Sequence, residues 1–221
     1  MTRCAGQVPL ACRIVAGPPG RARVALVQTA ASILSGDRVE VDVEVGGGAS
    51  LELLTLGATV AYPAHVEAAQ DLAFRVGEQG RFAWLPQPLV LADGCELVST
   101  TEVELADGAA GVLRELYALG RHDEAPGRCR STLRCDLDGL PLLRDSIAID
   151  PAAEGSPIRL GDARAYGTLA LLGIRDTAGH PPGQLALEGP GSLFRSVGTS
   201  AVTVERALEP VERSYLSRLW A

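Results

Sequence analysis

Two acidic residues stand inside stretches of the sequence that are otherwise largely apolar. Glu115 lies in Leu-Arg-Glu-Leu-Tyr-Ala-Leu over 113–119, and Asp145 lies in Leu-Leu-Arg-Asp-Ser-Ile over 142–147. In one interpretation each carboxylate alternates outward to water and pairs with the Arg that precedes it. In the other, both face an internal water-filled passage, where hard oxygen ligands handle a divalent cation without retaining it. A third possibility is an acid/base pair of an enzyme.

Other residues that carry chemistry form no local constellation. The sequence lacks the nucleophile elbow, the zinc-protease helix, the phosphate loop and the dinucleotide fingerprint. Its three histidines are His65, His122 and His180, and its five cysteines are Cys4, Cys12, Cys95, Cys129 and Cys135. Neither set has the spacing of a metal site or a disulfide framework. We therefore predict no catalytic residue and assign no metal ligands.

Length and charge narrow the class of protein. The 221 residues fit one domain over 1–221, and the formal net charge of −7 disfavours a nucleic-acid partner, which requires clustered positive charge. The first residues lack the apolar run of a signal peptide, and no stretch approaches the roughly 18 apolar residues of a membrane helix. We expect a cytoplasmic protein with no membrane partner.

The elements that position these residues are predicted to be mainly strands. Residues 39–45 alternate strictly between Val and acidic residues, which indicates a strand with one buried face. Asp-Gly pairs at 93–94, 107–108 and 138–139 predict three hairpins. The predicted strands are 39–45, 50–62, 71–77, 81–90, 96–105, 111–119, 131–137, 140–149 and 168–174.

One segment has the period of a helix instead. Apolar residues recur at three- and four-residue spacing over about 203–219, with charged residues between them. Pro210 predicts a kink or a restart within this helix. The predicted fold is mainly β, an extended β-helix-like or stacked-sheet meander with one or two α-helices, the clearest at the C-terminus.

Five short segments in collinear order resemble one protein family. They are the Ser-Gly-Asp turn at Gly36 and Asp37, the segment 54–62, the tetrapeptide Trp84, Leu85, Pro86 and Gln87, the segment from Glu115 to Gly120 and Arg121, and the segment 140–145. Together they are similar to the urease accessory protein UreD family, also called UreH. The match is strongest over 8–150, and the chain is identified as a short, divergent member.

The resemblance implies a non-catalytic scaffold. Members bind UreF-like and UreG-like accessory proteins and apo-urease, forming a metallochaperone complex that inserts nickel into the urease active site. Nickel is then a transient cargo, with no tightly bound cofactor. Carried over by motif position, the residues implied to line the nickel passage are Thr55, Glu115 and Asp145.

The sequence also departs from the family pattern. Val60 and Pro63 replace a Lys and an Arg beside the motif Tyr, and Ala83 replaces the Glu before the Trp. The hairpin that members carry before the equivalent of Val8 is expected to be missing. Besides the scaffold, two alternatives stay open: a β-helix or barrel enzyme that uses Glu115 and Asp145 as acid and base, and a structural relic of the family that no longer delivers nickel.

Overall fold

The computed structural model describes residues 2–150, 163–175 and 182–221. Over these residues the chain forms fifteen strands, in two sheets, and one helix. The first sheet, called sheet A, contains β1 Leu10–Ile14, β2 Ala22–Gln28, β4 Ser50–Thr55, β5 Thr59–Ala61, β7 Arg81–Leu85, β8 Leu89–Leu91, β10 Ala110–Leu119, β13 Ala165–Leu172, β14 Gln184–Ala186 and β15 Gly191–Gly198. The second, sheet B, contains β3 Arg38–Val45, β6 Ala68–Val76, β9 Glu96–Leu105, β11 Arg128–Leu137 and β12 Leu140–Ile149, and the helix is α1 Ala201–Leu219.

The chain winds as a β-solenoid, so the predicted mainly-β, β-helix-like fold is confirmed. From β2 to β11 it passes repeatedly from sheet A to sheet B, and each new strand pairs in parallel with the strand one coil earlier. Four such coils stack on one another. β12 then pairs antiparallel with β11, and β13 pairs antiparallel with β10, which closes the body. Adjacent coils therefore place equivalent residues side by side on one face.

Only one of the three predicted hairpins is a hairpin. Asp138 and Gly139 have φ of 50° and 72° and join the antiparallel strands β11 and β12, as the tight turn between paired strands requires. At 93–94 and 107–108 only the Gly has positive φ, and the turns carry the chain from one sheet to the other. These two turns are corners of the solenoid, and the hairpin prediction was wrong for them.

Two predicted long strands are each broken in two. Residues 50–62 form β4 and β5 with a gap at 56–58, and residues 81–90 form β7 and β8 with a gap at 86–88. The gaps lie side by side, because β4 pairs with β7 and β5 pairs with β8. Pro86 and Pro88 have no N–H to give to a ladder, which explains the second break.

The buried apolar residues of the described chain form three clusters, two between the sheets and one under α1. Between the sheets, apolar side chains such as Trp84, Phe74 and Phe82 pack together, with the rings of Phe74 and Phe82 4.7 Å apart between centroids. On the outer face of sheet A, α1 buries Val204, Leu208, Tyr215 and Leu219 against β10 and β13. The helix begins with Ser200 accepting a bond from the Thr203 N–H and runs without interruption through Pro210, so the predicted restart is wrong.

No helix in the described part of the chain combines the length and the apolar character needed to cross a membrane.

Candidate functional site

The site lies where the two strand gaps face the middle of β10. β7 pairs with β10 only as far as Leu113, and β8 pairs with it again from Tyr117. Among the described residues, the backbone from Arg114 to Leu116 therefore has no strand partner on that side. A sheet interrupted in this way exposes polar backbone groups that must find other partners.

Two side chains complete the hydrogen bonding at the gap. Arg114 donates from Nε and Nη2 to the carbonyl oxygen of Pro86, at 3.1 and 2.7 Å. The hydroxyl of Thr55 accepts a bond from the backbone N–H of Gln87 at 2.8 Å. Arg114 also donates from Nη1 to Glu212 of α1 at 2.9 Å, so the helix, the gap and β10 are joined through one buried guanidinium.

A cavity of about 60 Å³ lies between the sheets behind this gap. Its lining comes from all four coils, which at the usual strand spacing span about 14 Å along the solenoid axis. One water needs roughly 10–15 Å³, so this volume suits a narrow file of a few water molecules. The polar side chains that line it include Gln28, Thr55, Gln70, Gln87, Ser99, Thr101 and Glu115.

Glu115 faces this cavity from the centre of β10. Its Oε1 accepts a bond from the hydroxyl of Thr101 at 3.4 Å. Burial and, after it, the charge of Asp145 raise the pKa of the Glu115 carboxyl to about 7, against the opposing effects of the Thr101 bond and the charge of Arg195. Near neutral pH this carboxyl is therefore divided between its neutral and its charged form.

Strand register aligns Glu115 with the other charged groups of the site. Glu115 lies opposite Thr168 on β13, and Thr168 lies opposite Arg195 on β15. From sheet B, Asp145 accepts a hydrogen bond from Nη2 of Arg195. Asp145 stands in the same cross-strand row as Thr101, with Leu133 between them. The ion pair of Asp145 and Arg195 thus bridges the two sheets beside Glu115.

The structure thus places the three residues implied by the family resemblance as follows. Thr55 and Glu115 line the same cavity, whereas Asp145 lies outside its lining and interacts with Glu115 through charge. The interpretation that each carboxylate turns to water beside its preceding Arg is wrong. Glu115 turns inward while Arg114 turns toward α1, and Asp145 pairs with Arg195.

The remaining motif residues shape corners and core. Gly36 has φ of 75°, and the side chain of Asp37 accepts the N–H of Leu34 at 2.8 Å. Gly120 has φ of 84°, and Arg121 forms an ion pair with Glu124 at 2.7 Å. In the tetrapeptide, Trp84 is buried between the sheets, and Leu85 packs on the helix side, followed by the broken segment with Pro86 and Gln87.

None of the described histidines or cysteines lines the cavity. His65 and His122 are exposed, and His180 lies outside the described residues. Cys95, Cys129 and Cys135 are buried, and burial raises the pKa of each thiol above its ordinary value. Within the described ranges, no group of three or more His, Cys, Asp or Glu side chains is arranged to hold a metal ion.

Sequence reasoning missed Arg114, Thr101, Thr168 and Arg195 as members of the site. Arg195 had a usable signal, because it is a charged residue directly after the apolar pair Leu193-Phe194, but no strand was predicted there. Thr101 and Thr168 carry no such signal, because Thr is common on ordinary strand surfaces.

Comparison with known proteins identifies relatives over almost the whole chain. The urease accessory protein UreD family matches residues 1–217. A urease accessory protein UreD of Streptomyces coelicolor is 34% identical over 218 residues, covering 92% of this chain and 85% of the relative. One from Streptomyces avermitilis is 35% identical over 210 residues, covering 93% and 82%, and one from Frankia casuarinae is 32% identical over 256 residues, covering 91% and 80%.

Proposed function

The chain belongs to the family of UreD urease accessory proteins, and from that premise we propose that it serves urease maturation as a non-catalytic scaffold that passes nickel through its interior. The observation that carries the nickel proposal is the cavity between the sheets with Glu115 in its lining. Family membership supports the maturation role, and the cavity supports the route for the ion.

Passage requires ligands that bind weakly and in sequence. Hydroxyl, amide and carboxyl oxygens are hard ligands that exchange more readily than thiolates, and several of them occur along the lining, from Gln28 in the first coil to Glu115 in the fourth. A divalent cation binds the charged carboxylate of Glu115 and displaces its proton. Because the pKa of Glu115 is about 7, this exchange costs little free energy near neutral pH.

Asp145 and Arg195 modulate that exchange. The negative charge of Asp145 raises the pKa of Glu115 and attracts a cation, whereas the guanidinium of Arg195 neutralises Asp145 while it is bound to it. Thr55 both lines the cavity and accepts a hydrogen bond from the N–H of Gln87, so it also fixes the backbone at the gap.

The partners proposed for the scaffold are UreF-like and UreG-like accessory proteins and apo-urease, in the cytoplasm. The test is co-expression of this chain with urease and the other accessory proteins in cells that lack their own copy. Glu115→Gln combined with Asp145→Asn should lower the nickel bound per urease, measured by elemental analysis, while the accessory complex still co-purifies. Glu102→Gln, on the exposed face of β9, is the matched control and should leave nickel content unchanged.

Three results would count against this proposal. Normal nickel content in the double variant would remove the cavity from the route. Failure of the unsubstituted chain to retain any accessory partner would remove the scaffold role. Loss of complex assembly in the double variant alone would assign Glu115 and Asp145 a structural role.

One observation favours a second function. A carboxyl whose pKa is raised beside another carboxylate is the pattern of an acid/base pair. The cavity of about 60 Å³ is far below the roughly 300 Å³ at which organic ligand pockets begin, which favours the ion over an organic substrate.

Restored urease activity on complementation would exclude the third alternative, a relic that has lost nickel delivery.

A further inference from the structure

β3 is an edge strand whose backbone has hydrogen-bonding capacity to spare. In the described residues it pairs only with β6. The carbonyls of Asp37 and Val45 accept bonds from the β6 side, and the N–H and C=O of one strand residue point the same way. The odd-numbered residues therefore bond to β6, and Arg38, Glu40, Asp42 and Glu44 direct their N–H and C=O groups to the open side.

A groove of about 670 Å³ runs along this open edge, lined by residues of β1 to β4 and by residues 2–9 of the same chain. Sheet A extends one strand further than sheet B at this end, because β1 pairs beyond β2 while sheet B stops at β3. The inner wall is apolar, with Val41 and Val43 of β3 facing Leu10 and Cys12 of β1, and all four side chains are only half-buried. The position opposite β1 in sheet B is therefore the place for one more strand.

The outer side of the same edge is acidic. Glu40, Asp42 and Glu44 are exposed, and the one basic residue of the row, Arg38, pairs with Glu40 at 3.0 Å. The Asp42 side chain retains 72% of its accessible surface and lies 3.7 Å from Arg75 of β6. A second copy of β3 would bring three carboxylates against three others, which is unfavourable for directly opposed strands. The charge pattern thus protects the edge from self-association and favours a basic neighbour.

We propose that β3 receives a strand of a protein partner in which apolar residues alternate with Arg or Lys. The apolar side chains fill the groove between Val41, Val43 and Leu10, and the basic ones lie beside the acidic row, while backbone bonds form to the even-numbered residues of β3. The groove and the cavity around Glu115 share Leu10, Leu26, Val39 and Val41 in their linings. Strand addition uses the backbone groups of the open β3 edge, however, and does not require nickel passage.

The probe is a fluorescein-labelled peptide of alternating Arg and Val, matched to the eight residues of β3, with a Glu and Val peptide as its control. Binding to the full chain is followed by fluorescence anisotropy. The Arg peptide should bind and the Glu peptide should not. Asp42→Asn and Asp42→Pro remove the same charge, but only the Pro variant removes an N–H that faces the partner. We expect Asp42→Pro to weaken binding about tenfold relative to Asp42→Asn, the worth of one or two backbone hydrogen bonds.

Amide hydrogen exchange of the unsubstituted chain supplies a readout that requires no variant. Bound peptide should protect the amides of Glu40, Asp42 and Glu44 and leave those of Val41 and Val43 unchanged, since these already bond to β6. Equal affinity of the Pro and Asn variants together with no alternating protection would overturn the proposal. A dimer in sedimentation that Asp42→Pro dissociates would also overturn it, since the occupant would then be a second copy.

Discussion

Glu115→Gln should stabilise the protein at alkaline pH and leave its stability unchanged in acid. Gln is close in shape to the protonated Glu, and its amide oxygen can still accept a hydrogen bond from the hydroxyl of Thr101. The substitution removes the negative charge that forms in the interior beside Asp145. At alkaline pH the unsubstituted protein is therefore less stable than the Gln variant, because it carries this charge in its interior.

The magnitude follows from the pKa of Glu115 in the folded chain. It rises from 4.5 to about 7, and each pKa unit corresponds to about 1.4 kcal/mol. Below pH 4.5 the carboxyl is protonated in both folded and unfolded chains, so it costs nothing. Between 4.5 and about 7 only the unfolded chain releases the proton, so the free energy of unfolding falls as pH rises. Above 7 the loss is complete, at up to about 3 kcal/mol.

The assay is urea unfolding of both proteins across pH 4.5 to 8. The free energy of unfolding of the variant, minus that of the unsubstituted chain, should grow from near zero to as much as about 3 kcal/mol. Glu102→Gln, at an exposed ion pair with Arg134, should stay within about 0.5 kcal/mol throughout. A difference for Glu115→Gln that is zero at pH 8, or that is equally large at pH 4.5, would refute the burial of an ionising carboxyl at this position.

Three further substitutions test the contacts around the site. Asp145→Asn should lower the pKa of Glu115, because it removes a neighbouring negative charge and frees Arg195; carbon-13 NMR titration of the Glu115 carboxyl measures this. Arg114→Met should cost about 3 kcal/mol in urea unfolding, since it leaves the Pro86 carbonyl and Glu212 without their common donor. Gly120→Ala should cost about 1–2 kcal/mol for its left-handed backbone and roughly 1–3 kcal/mol more for a Cβ placed 2.7 Å from a carbonyl oxygen.

Each of the last two has a matched control. Arg213→Met removes an exposed ion pair with Glu209 on the same helix and should change stability by less than about 0.5 kcal/mol. Gly139→Ala meets the same left-handed backbone with open space around its Cβ, so only the first cost applies. If a variant and its control lose the same free energy of unfolding, the specific contact is contradicted. If Asp145→Asn leaves the pKa of Glu115 unchanged or raises it, the coupling between the two carboxyls is contradicted.

Local sequence patterns predicted the strands well where side chains alternate across one sheet. The predicted 96–105 and 140–149 coincide with β9 and β12, and 39–45 differs from β3 by one residue. These patterns did not predict whether the chain returns to the same sheet after a turn or crosses to the other sheet. An Asp-Gly pair looks the same at a hairpin and at a solenoid corner, because the choice depends on the φ of the Asp and on long-range pairing.

The local sequence pattern also could not predict to which face of the sheet the Glu115 side chain points. Its strand is buried on both faces, one by sheet B and one by α1, so alternation could not distinguish an outward carboxylate from an inward one. Its partners Thr168 and Arg195 are brought beside it only by the antiparallel pairing of β10, β13 and β15.

The Trp-Leu-Pro-Gln tetrapeptide ends strand β7 next to the cavity, and Trp84, Pro86 and Gln87 line it. Trp84 anchors the chain between the sheets, and Pro86 then ends the pairing with β10. Arg114 and Glu115, consecutive residues opposite the break, point to opposite faces, as strand geometry requires. Arg114 binds the freed carbonyl and joins it to α1, while Glu115 keeps the inner side next to the polar cavity. The two prolines thus interrupt the sheet beside the position on β10 from which Glu115 faces the cavity.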